Sequence, residues 1–460
     1  MSAVVSSDEG EGRSQPVEVG SGRNSKSNTA LPPRPETDLS PPDRAEKPLR
    51  PVGKTTVALL VLATFGGGMA LIVPMAFSLA FRLDQLAPGQ EEVLGYLLGA
   101  GALSSLIAAP LTGIFRDRLR SRWGRRRPFT VIGMVLGLAA IPVMAFAPNV
   151  VLLGTGWVLS TVGWGTAVGS IGNYQADNLF GPQRGKVSGL TGMAMQISPV
   201  VGIILVGRVT ADALWVFLLP ATVGALTIAA FVFFAPEGDA RGAATLGQLS
   251  VGSVFKSFVF SPKQHPAFAW TWAGRFVFFL GLSLTTSYAT FFYAQRLHIS
   301  VAEVSTVMAV VSGASILSST AGALGGGWLS DRRWRRQPFV LLGTVIYAAG
   351  TVVSAFSHDI ITLIAGSFVS SLGIAVFSAV GQALVLDVLP HRETQAGRFM
   401  AITGFSQKIP GVLAPALAPA LLAIPESGCD KNYTALFLVA GAFALAGGLL
   451  TVFGVREVDT

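Results

Sequence analysis

The chain has 460 residues, of which 51% are hydrophobic and only 13% are charged. A soluble protein of this length carries about twice that share of charge, so the composition excludes an ordinary soluble domain and indicates a membrane protein. The net charge of +8 lies mainly in loops at the ends of apolar segments. This distribution favours contact with anionic lipid and argues against nucleic-acid binding.

The residue types that build disulfides and metal centres are scarce. Cys429 is the one cysteine, so no intrachain disulfide can form. The four histidines are scattered, and no HExxH or CxxC spacing occurs. We therefore expect no metal site and no cofactor.

The two ends of the chain are polar. Residues 1–53 are rich in Ser, Pro, Gly and charge and cannot bury enough apolar area to offset the entropy of ordering. We predict a disordered cytoplasmic tail there and a short C-terminal tail at 456–460.

Between the tails, apolar runs alternate with short polar breaks, and each run is close to the ~20 residues that a helix needs to cross a bilayer. The sequence therefore predicts an all-α membrane protein of about twelve transmembrane helices. The predicted spans are 55–82, 93–115, 128–147, 150–177, 188–208, 213–235, 267–294, 303–329, 338–356, 360–386, 398–424 and 433–455.

The longest internal break, at 236–266, predicts a cytoplasmic linker between two six-helix halves, 54–235 and 267–455. An Arg-rich loop also occurs once in each half, at 113–128 and again at 327–338. A pattern repeated about half a chain apart predicts two pseudo-symmetric halves. Because short loops rich in Lys and Arg stay in the cytoplasm, we expect both termini inside the cell.

The repeat has a fixed internal arrangement. In both copies a Gly precedes an Asp by four residues, and an Arg cluster and a Pro follow. Asp177 ends span four and Arg184 follows it, just as Asp387 and Arg392 follow span ten. These motifs resemble the signature loop of the major facilitator superfamily. Residues 120–129 further resemble the loop of the glycoside–pentoside–hexuronide symporters and of the sucrose transporters.

The resemblance implies a central cavity between the halves and transport by alternating access. It also implies that the loop charges form a cytoplasmic latch, whereas a simpler interpretation makes the arginines topology anchors only. The residues assigned to this gate are Gly113, Asp117, Arg118, Gly124, Arg125, Arg126, Asp177, Arg184, Gly327, Asp331, Arg332, Asp387 and Arg392.

The chain departs from the glycoside symporters in its acidic residues. Those proteins bind a coupling cation with acids in spans two and four, whereas the predicted membrane interior here holds no Asp or Glu. A carboxylate-based Na⁺ site is therefore doubtful. A coupling proton would have to use the peripheral Asp177 or Asp387.

Two cations remain inside predicted spans. Lys408 lies about ten residues into span eleven, hence about 15 Å along the helix, and Arg275 lies at similar depth in span seven. A charge at this depth is costly against lipid and is expected to face a cavity, although Arg275 could instead snorkel to the interface. A lysine in span eleven is also a feature of the glycoside symporters.

We assign uncharged polar and aromatic residues to the same substrate cavity, because ring planes can stack on sugars and amides can bind hydroxyls. Serine stripes on spans eight and ten are interpreted first as helix-packing positions. The complete predicted cavity set is Lys408, Arg275, Gln196, Trp164, Trp157, Gln382 and Gln407.

The sequence thus favours a monomeric secondary transporter that moves a small polar solute, a sugar, glycoside or organic anion, across the cell membrane. Two alternatives stay open: an exporter of a lipophilic drug or secondary metabolite, and a non-transporting receptor. We expect no enzyme, because no nucleophile–base set or metal ligands occur at membrane level.

Overall fold

The computed structural model describes residues 52–118, 121, 123–124, 126–179, 181–210, 212–236, 260–333, 336–390, 396–424 and 431–454. Most of the predicted N-terminal tail and linker and all of the predicted C-terminal tail lie outside these residues. So do Arg125 and Arg392, together with the side chains of Asp117 and Arg118.

The described chain is all α-helix and turn, with no β-strand in those ranges, which confirms the predicted fold class. The helices are α1 Lys54–Leu86, α2 Glu92–Arg118, α3 Arg127–Ala145, α4 Val150–Asn178, α5 Gly181–Val206, α6 Ala213–Phe234, α7 Pro266–Leu297, α8 Val304–Arg333, α9 Gln337–Ala355, α10 Ile360–Asp387, α11 Ala396–Leu422 and α12 Tyr433–Gly454.

Within the described ranges, 11 helices are long and apolar enough to cross a membrane. The remaining long helix is α11, which has 27 residues and carries Gln407, Lys408 and three prolines. Its polar residues lower its hydropathy, as expected of a helix with one face on a cavity.

Local sequence fixes where several helices begin. Asn149 and Asp359 cap the corresponding helices of the two halves, accepting hydrogen bonds from the backbone N–H of Leu152 at 2.9 Å and of Thr362 at 2.7 Å. Such caps satisfy N–H groups that have no partner in the first turn. Helices α3 and α9 each place a Pro in the first turn, where its missing N–H costs nothing.

Helix α1 contains a π-helical turn at Pro74–Ser78. Proline removes one N–H from the helical ladder, so the local register changes. Thr290, on α7 of the other half, donates its hydroxyl to the Ala76 carbonyl at 2.6 Å. A carbonyl in the irregular turn thereby gains a partner from across the interface between the halves.

The two halves repeat one packing arrangement. A Cβ on Gly66 of α1 would lie 1.9 Å from Oγ1 of Thr227 on α6. A Cβ on Gly274 of α7 would lie 2.0 Å from Oγ1 of Thr451 on α12. Each glycine lets its helix approach the last helix of its own half. The same contact at equivalent positions shows the pseudo-symmetry in atomic detail.

Between the halves, α2 packs against α11 and α5 packs against α8. These pairs hold the halves side by side, and the central cavity lies between them.

Candidate functional site

A cavity of about 710 Å³ lies between the two halves, within the roughly 300–1,000 Å³ range of small-molecule sites. No charged side chain lines it in the part of the chain that the structure describes. All but two of its hydroxyl-bearing side chains, Ser105 and Thr161, come from α7–α10. Those second-half residues are Ser283, Thr285, Thr286, Ser287, Tyr293, Ser312, Ser315, Ser319, Tyr347, Thr351, Ser354, Ser367, Ser370 and Ser371.

We call these second-half residues the hydroxyl wall. Some of their hydroxyl groups are hydrogen-bonded to other side chains and some are not. Tyr347 and Thr285 share a hydrogen bond of 2.9 Å. Ser312, Ser319 and Ser371 are half-buried and have no side-chain partner in the described chain. Free hydroxyls on a cavity wall can donate to and accept from a polar solute. Four serines of the stripes that the sequence suggested as packing positions therefore contribute to the cavity, namely Ser312, Ser319, Ser367 and Ser371, whereas Ser305 and Ser378 lie outside its lining.

Trp157, one of the predicted cavity residues, forms part of the first-half wall. Its indole lies against α2, where Gly101 leaves room for it: a Cβ there would be 2.2 Å from Nε1. The side chain is only 2% exposed, and Nε1–H has no partner in the described chain. A buried donor without a partner is costly, and this one lies against the α2 backbone at Gly101. Gln196, also predicted, lines the same cavity.

A second cavity of about 790 Å³ shares Leu71, Ser105 and Thr161 with the first. It extends along α2 to Gly113, beside the first Arg-rich loop. Lys408 is the one charged residue in its described lining. The two cavities therefore form a path from the hydroxyl wall, past Lys408, toward the Arg-rich end of the bundle.

Four of the predicted cavity residues belong to neither cavity lining in the described chain. Trp164 is 1% exposed and packs on Gly137 of α3. Gln382 is half-buried on α10, and Gln407 is exposed on α11.

The fourth, Arg275, is 2% exposed. Its guanidinium lies 5.5 Å from the ring centroid of Phe279, a favourable cation–π arrangement. Nη1 faces Gly381 of α10 across a short gap, and neither Nε nor Nη1 has a hydrogen-bond partner in the described chain. Arg275 therefore lies where α7 packs against α10, outside the described linings of both cavities.

The Arg-rich loops form ion pairs inside each half. Arg126 pairs with Asp177, and Arg336 pairs with Asp387 and, at 3.1 Å, with Asp331. The carboxylates at the ends of α4 and α10 are thus equivalent partners of the two loops. Gly124 has φ +89°, a left-handed conformation that favours glycine.

The other assigned gate residues lie nearby. Arg184 donates to the Leu179 carbonyl at 3.0 Å. Arg332 lies over the Trp328 ring at 5.5 Å. Gly113 lines the second cavity, and Gly327 lies on α8 with open space where a Cβ would be.

At the opposite end of the bundle, four residues tie the halves together, and we call them the clasp. Lys431, just before α12, binds Glu92 on α2 at 2.9 Å. Tyr433 donates its hydroxyl to Glu91. The sequence places Glu91, Glu92 and Lys431 in non-cytoplasmic loops and Tyr433 at the start of predicted span twelve. The sequence did carry a signal for this contact. The acidic pair Glu91 and Glu92 in the first half and Lys431 in the second half are predicted on the same side of the membrane.

Burial raises the pKa of the Glu91 carboxyl, against the opposing effects of the Tyr433 hydrogen bond and the Lys431 charge. The other charged groups near it are Asp84 of α1 and the neighbouring Glu92, which also raise the Glu91 pKa. The clasp therefore contains one carboxyl that holds its proton more tightly than an exposed glutamate does.

In the described chain, no group of three or more His, Cys, Asp or Glu residues is arranged to hold a metal ion.

A bundle of this length, with a cavity between two pseudo-symmetric halves, defines a multi-pass membrane transporter. The chain matches the family model of the Major Facilitator Superfamily over residues 55–322 and again over 294–460. It belongs to that family.

Curated relatives match over short stretches. The chain is 35% identical over 98 residues to the General alpha-glucoside permease of Schizosaccharomyces pombe, covering 21% of this chain and 16% of that protein. It is 26% identical over 92 residues to sucrose transport protein SUT1 of Oryza sativa subsp. japonica, covering 20% and 17%. It is 30% identical over 139 residues to an uncharacterized transporter of Rickettsia felis, covering 29% and 30%. The chain thus spans less than a third of these relatives.

Solved structures share the fold over nearly the whole bundle. The nucleoside transporter NupG gives a TM-score of 0.67 at 12% identity, covering 87% of this chain and 99% of that one. A bacterial homolog of the human lysosomal transporter Spinster gives 0.64 at 14% identity, covering 88% and 98%. At such identities the likeness concerns the fold alone.

Proposed function

We propose that this protein is a secondary transporter that moves a neutral, hydroxyl-rich solute, a sugar or glycoside, across the cell membrane by alternating access. The observation that carries the proposal is the uncharged cavity with its wall of hydroxyl groups on α7–α10. A solute with many hydroxyls can exchange its hydrogen bonds with water for hydrogen bonds to such a wall. For an organic anion, the one cation in the described lining of the two cavities is Lys408, and it lies outside this cavity.

The curated relatives support this substrate class. Two of them are named for alpha-glucosides and for sucrose, although the matches cover short stretches. The nucleoside transporter shares the fold, and a nucleoside is also a hydroxylated neutral solute, so it belongs in the test panel.

The ion pairs support an inward-facing arrangement. The clasp joins the two halves at one end of the bundle through Lys431 and Glu92. At the other end, the described pairs Arg126–Asp177 and Arg336–Asp387 each lie within one half. With the Arg-rich loops inside the cell, as their charge predicts, the outer end is closed and the path past Lys408 leads to the cytoplasm. Opening outward then requires the clasp to break.

The organisation around the site belongs to the same proposal. Two halves, 54–235 and 267–455, rock about the cavity, with 236–266 as a cytoplasmic linker and both termini inside the cell. No carboxylate lines either cavity in the described residues, so the proposal includes no Na⁺ site. Coupling, if it occurs, uses a proton.

The second candidate is export of a lipophilic compound. One observation favours it: the α1 part of the wall is wholly apolar, with Leu71, Ile72 and Met75 facing the cavity. Lipophilic substrates would bind there without needing the hydroxyl wall.

The two candidates differ in flux through purified protein in liposomes. We expect a sugar, glycoside or nucleoside from a tracer panel to enter, and the variant Ser312→Ala with Ser371→Ala to reduce that flux about tenfold. Ser378→Ala on α10, which lies outside both cavity linings, is the matched control with normal flux. Flux of lipophilic compounds alone, unaffected by the double variant, would refute the proposal.

A further inference from the structure

The two walls of the central cavity differ in chemistry. The second-half wall mixes apolar residues with the hydroxyl groups of α7–α10. The first-half wall is mainly apolar and includes Leu71, Ile72 and Met75 of α1, Leu98 of α2, and Val200 and Ile203 of α5. Its polar groups are confined to Ser105, Thr161, Gln196 and the indole of Trp157.

This difference has a consequence for binding. A free sugar has hydroxyls around its rim, so any hydroxyl placed against α1 would lose a hydrogen bond to water and gain none. Met75 is 46% exposed and lines this cavity. An apolar group on the solute would cover that methionine surface and remove it from water.

The size of the cavity points the same way. About 710 Å³ falls within the range that holds drug-sized ligands, which leaves room beside a sugar ring for a substituent. On the proposed function, the sugar ring lies on the α8–α10 hydroxyls and the substituent lies toward α1 and α5.

We propose that the preferred substrate is an amphipathic glycoside, a sugar that carries an apolar aglycone, with the aglycone seated between α1 and α5. The inference rests on the proposed function and narrows it. It also accounts for the apolar wall without a separate class of lipophilic substrate.

The test compares tracer flux of glucose, galactose and maltose with flux of their phenyl glycosides in proteoliposomes. We expect at least one phenyl glycoside to compete about tenfold better than its parent sugar, equivalent to about 1.4 kcal/mol. Equal competition, or a preference for maltose over every phenyl glycoside, would overturn the inference and leave the proposed function standing. Absence of flux for every hydroxylated solute in both panels would overturn the proposed function itself.

A matched pair of isosteric variants locates the aglycone. Val200→Thr adds one hydroxyl to the first-half wall, and Val311→Thr adds one to the second-half wall. We expect the preference for the phenyl glycoside over the free sugar to fall severalfold in V200T and to stay unchanged in V311T. A loss of preference in both variants, or in V311T alone, would refute the orientation.

Discussion

The contact between Gly101 and Trp157 offers a sharp test of the cavity wall. In Gly101→Ala the new methyl carbon would stand 2.2 Å from Nε1 of Trp157 and 2.9 Å from Cδ1 and Cε2. Restoring an ordinary contact requires the indole to move by about 1.2 Å or more. Trp157 is 2% exposed, so the indole cannot move without displacing the side chains packed around it.

Overpacking of this kind costs about 1–3 kcal/mol. We therefore expect G101A to lower the thermal midpoint of the purified protein by several degrees. We also expect flux to fall about tenfold, since a displacement of about 1 Å at a binding site costs that much or more. The assay is tracer flux in proteoliposomes, paired with a thermal-shift measurement on the same preparation.

Two variants control the interpretation. Gly172→Ala, also on a helix of this half, adds a methyl group where nothing lies within 4 Å, so both readouts should match the parent protein. Gly101→Ala combined with Trp157→Phe removes the clashing atom and should recover much of the lost stability, a coupling of about 1–2 kcal/mol. A G101A protein with normal flux and normal midpoint would refute the wall geometry.

Three further predictions concern the charged groups. Lys408→Ala should strongly reduce flux while leaving expression normal, because it removes the charge from the described lining of the second cavity; full activity would exclude Lys408 from the path. Glu92→Gln removes the ion pair with Lys431. The side chains of Glu92 and Lys431 are 34% and 32% exposed, respectively, so the substitution should weaken the clasp by at most about 1 kcal/mol. Labelling of a cysteine placed in the central cavity from the outer side should then rise severalfold, and unchanged labelling would contradict the clasp. Burial in the closed clasp raises the pKa of Glu91, so protonation of this carboxyl should favour closure. As the pH falls through the raised pKa, closure should strengthen, and the effect should be complete below the ordinary pKa of a glutamate. Glu91→Gln should remove this dependence, and a persisting slope in outer labelling would assign it to another group.

The sequence predicted the helical framework well because each signal is local. A run of about 20 apolar residues can hardly avoid crossing the bilayer, since unsatisfied backbone groups are too costly in lipid. Repeated motifs at 113–128 and 327–338 similarly indicated two related halves. The first residues of α3 and α9 could be located from the prolines in their first turns.

The sequence was less informative about which side of a helix faces the cavity. Trp157 and Trp164 lie seven residues apart and were both assigned to the cavity, yet Trp157 lines it and Trp164 packs on Gly137. Seven residues differ from two full helical turns by about 20°, and the close approach of α3 at Gly137 covers Trp164.

Serines posed a different difficulty. A serine in a membrane helix can hydrogen-bond to its own helix backbone, permit close helix packing or bind a solute, and the surrounding sequence does not distinguish these roles. Only the tertiary structure shows that Ser312 and Ser371, from two different helices, face one space. The sequence by itself determined the twelve long helices of the described residues and which loops carry charge, because those depend on local hydrophobicity. The tertiary structure decided the two-sided chemistry of the cavity and the clasp, because both arise where helices distant in the chain meet.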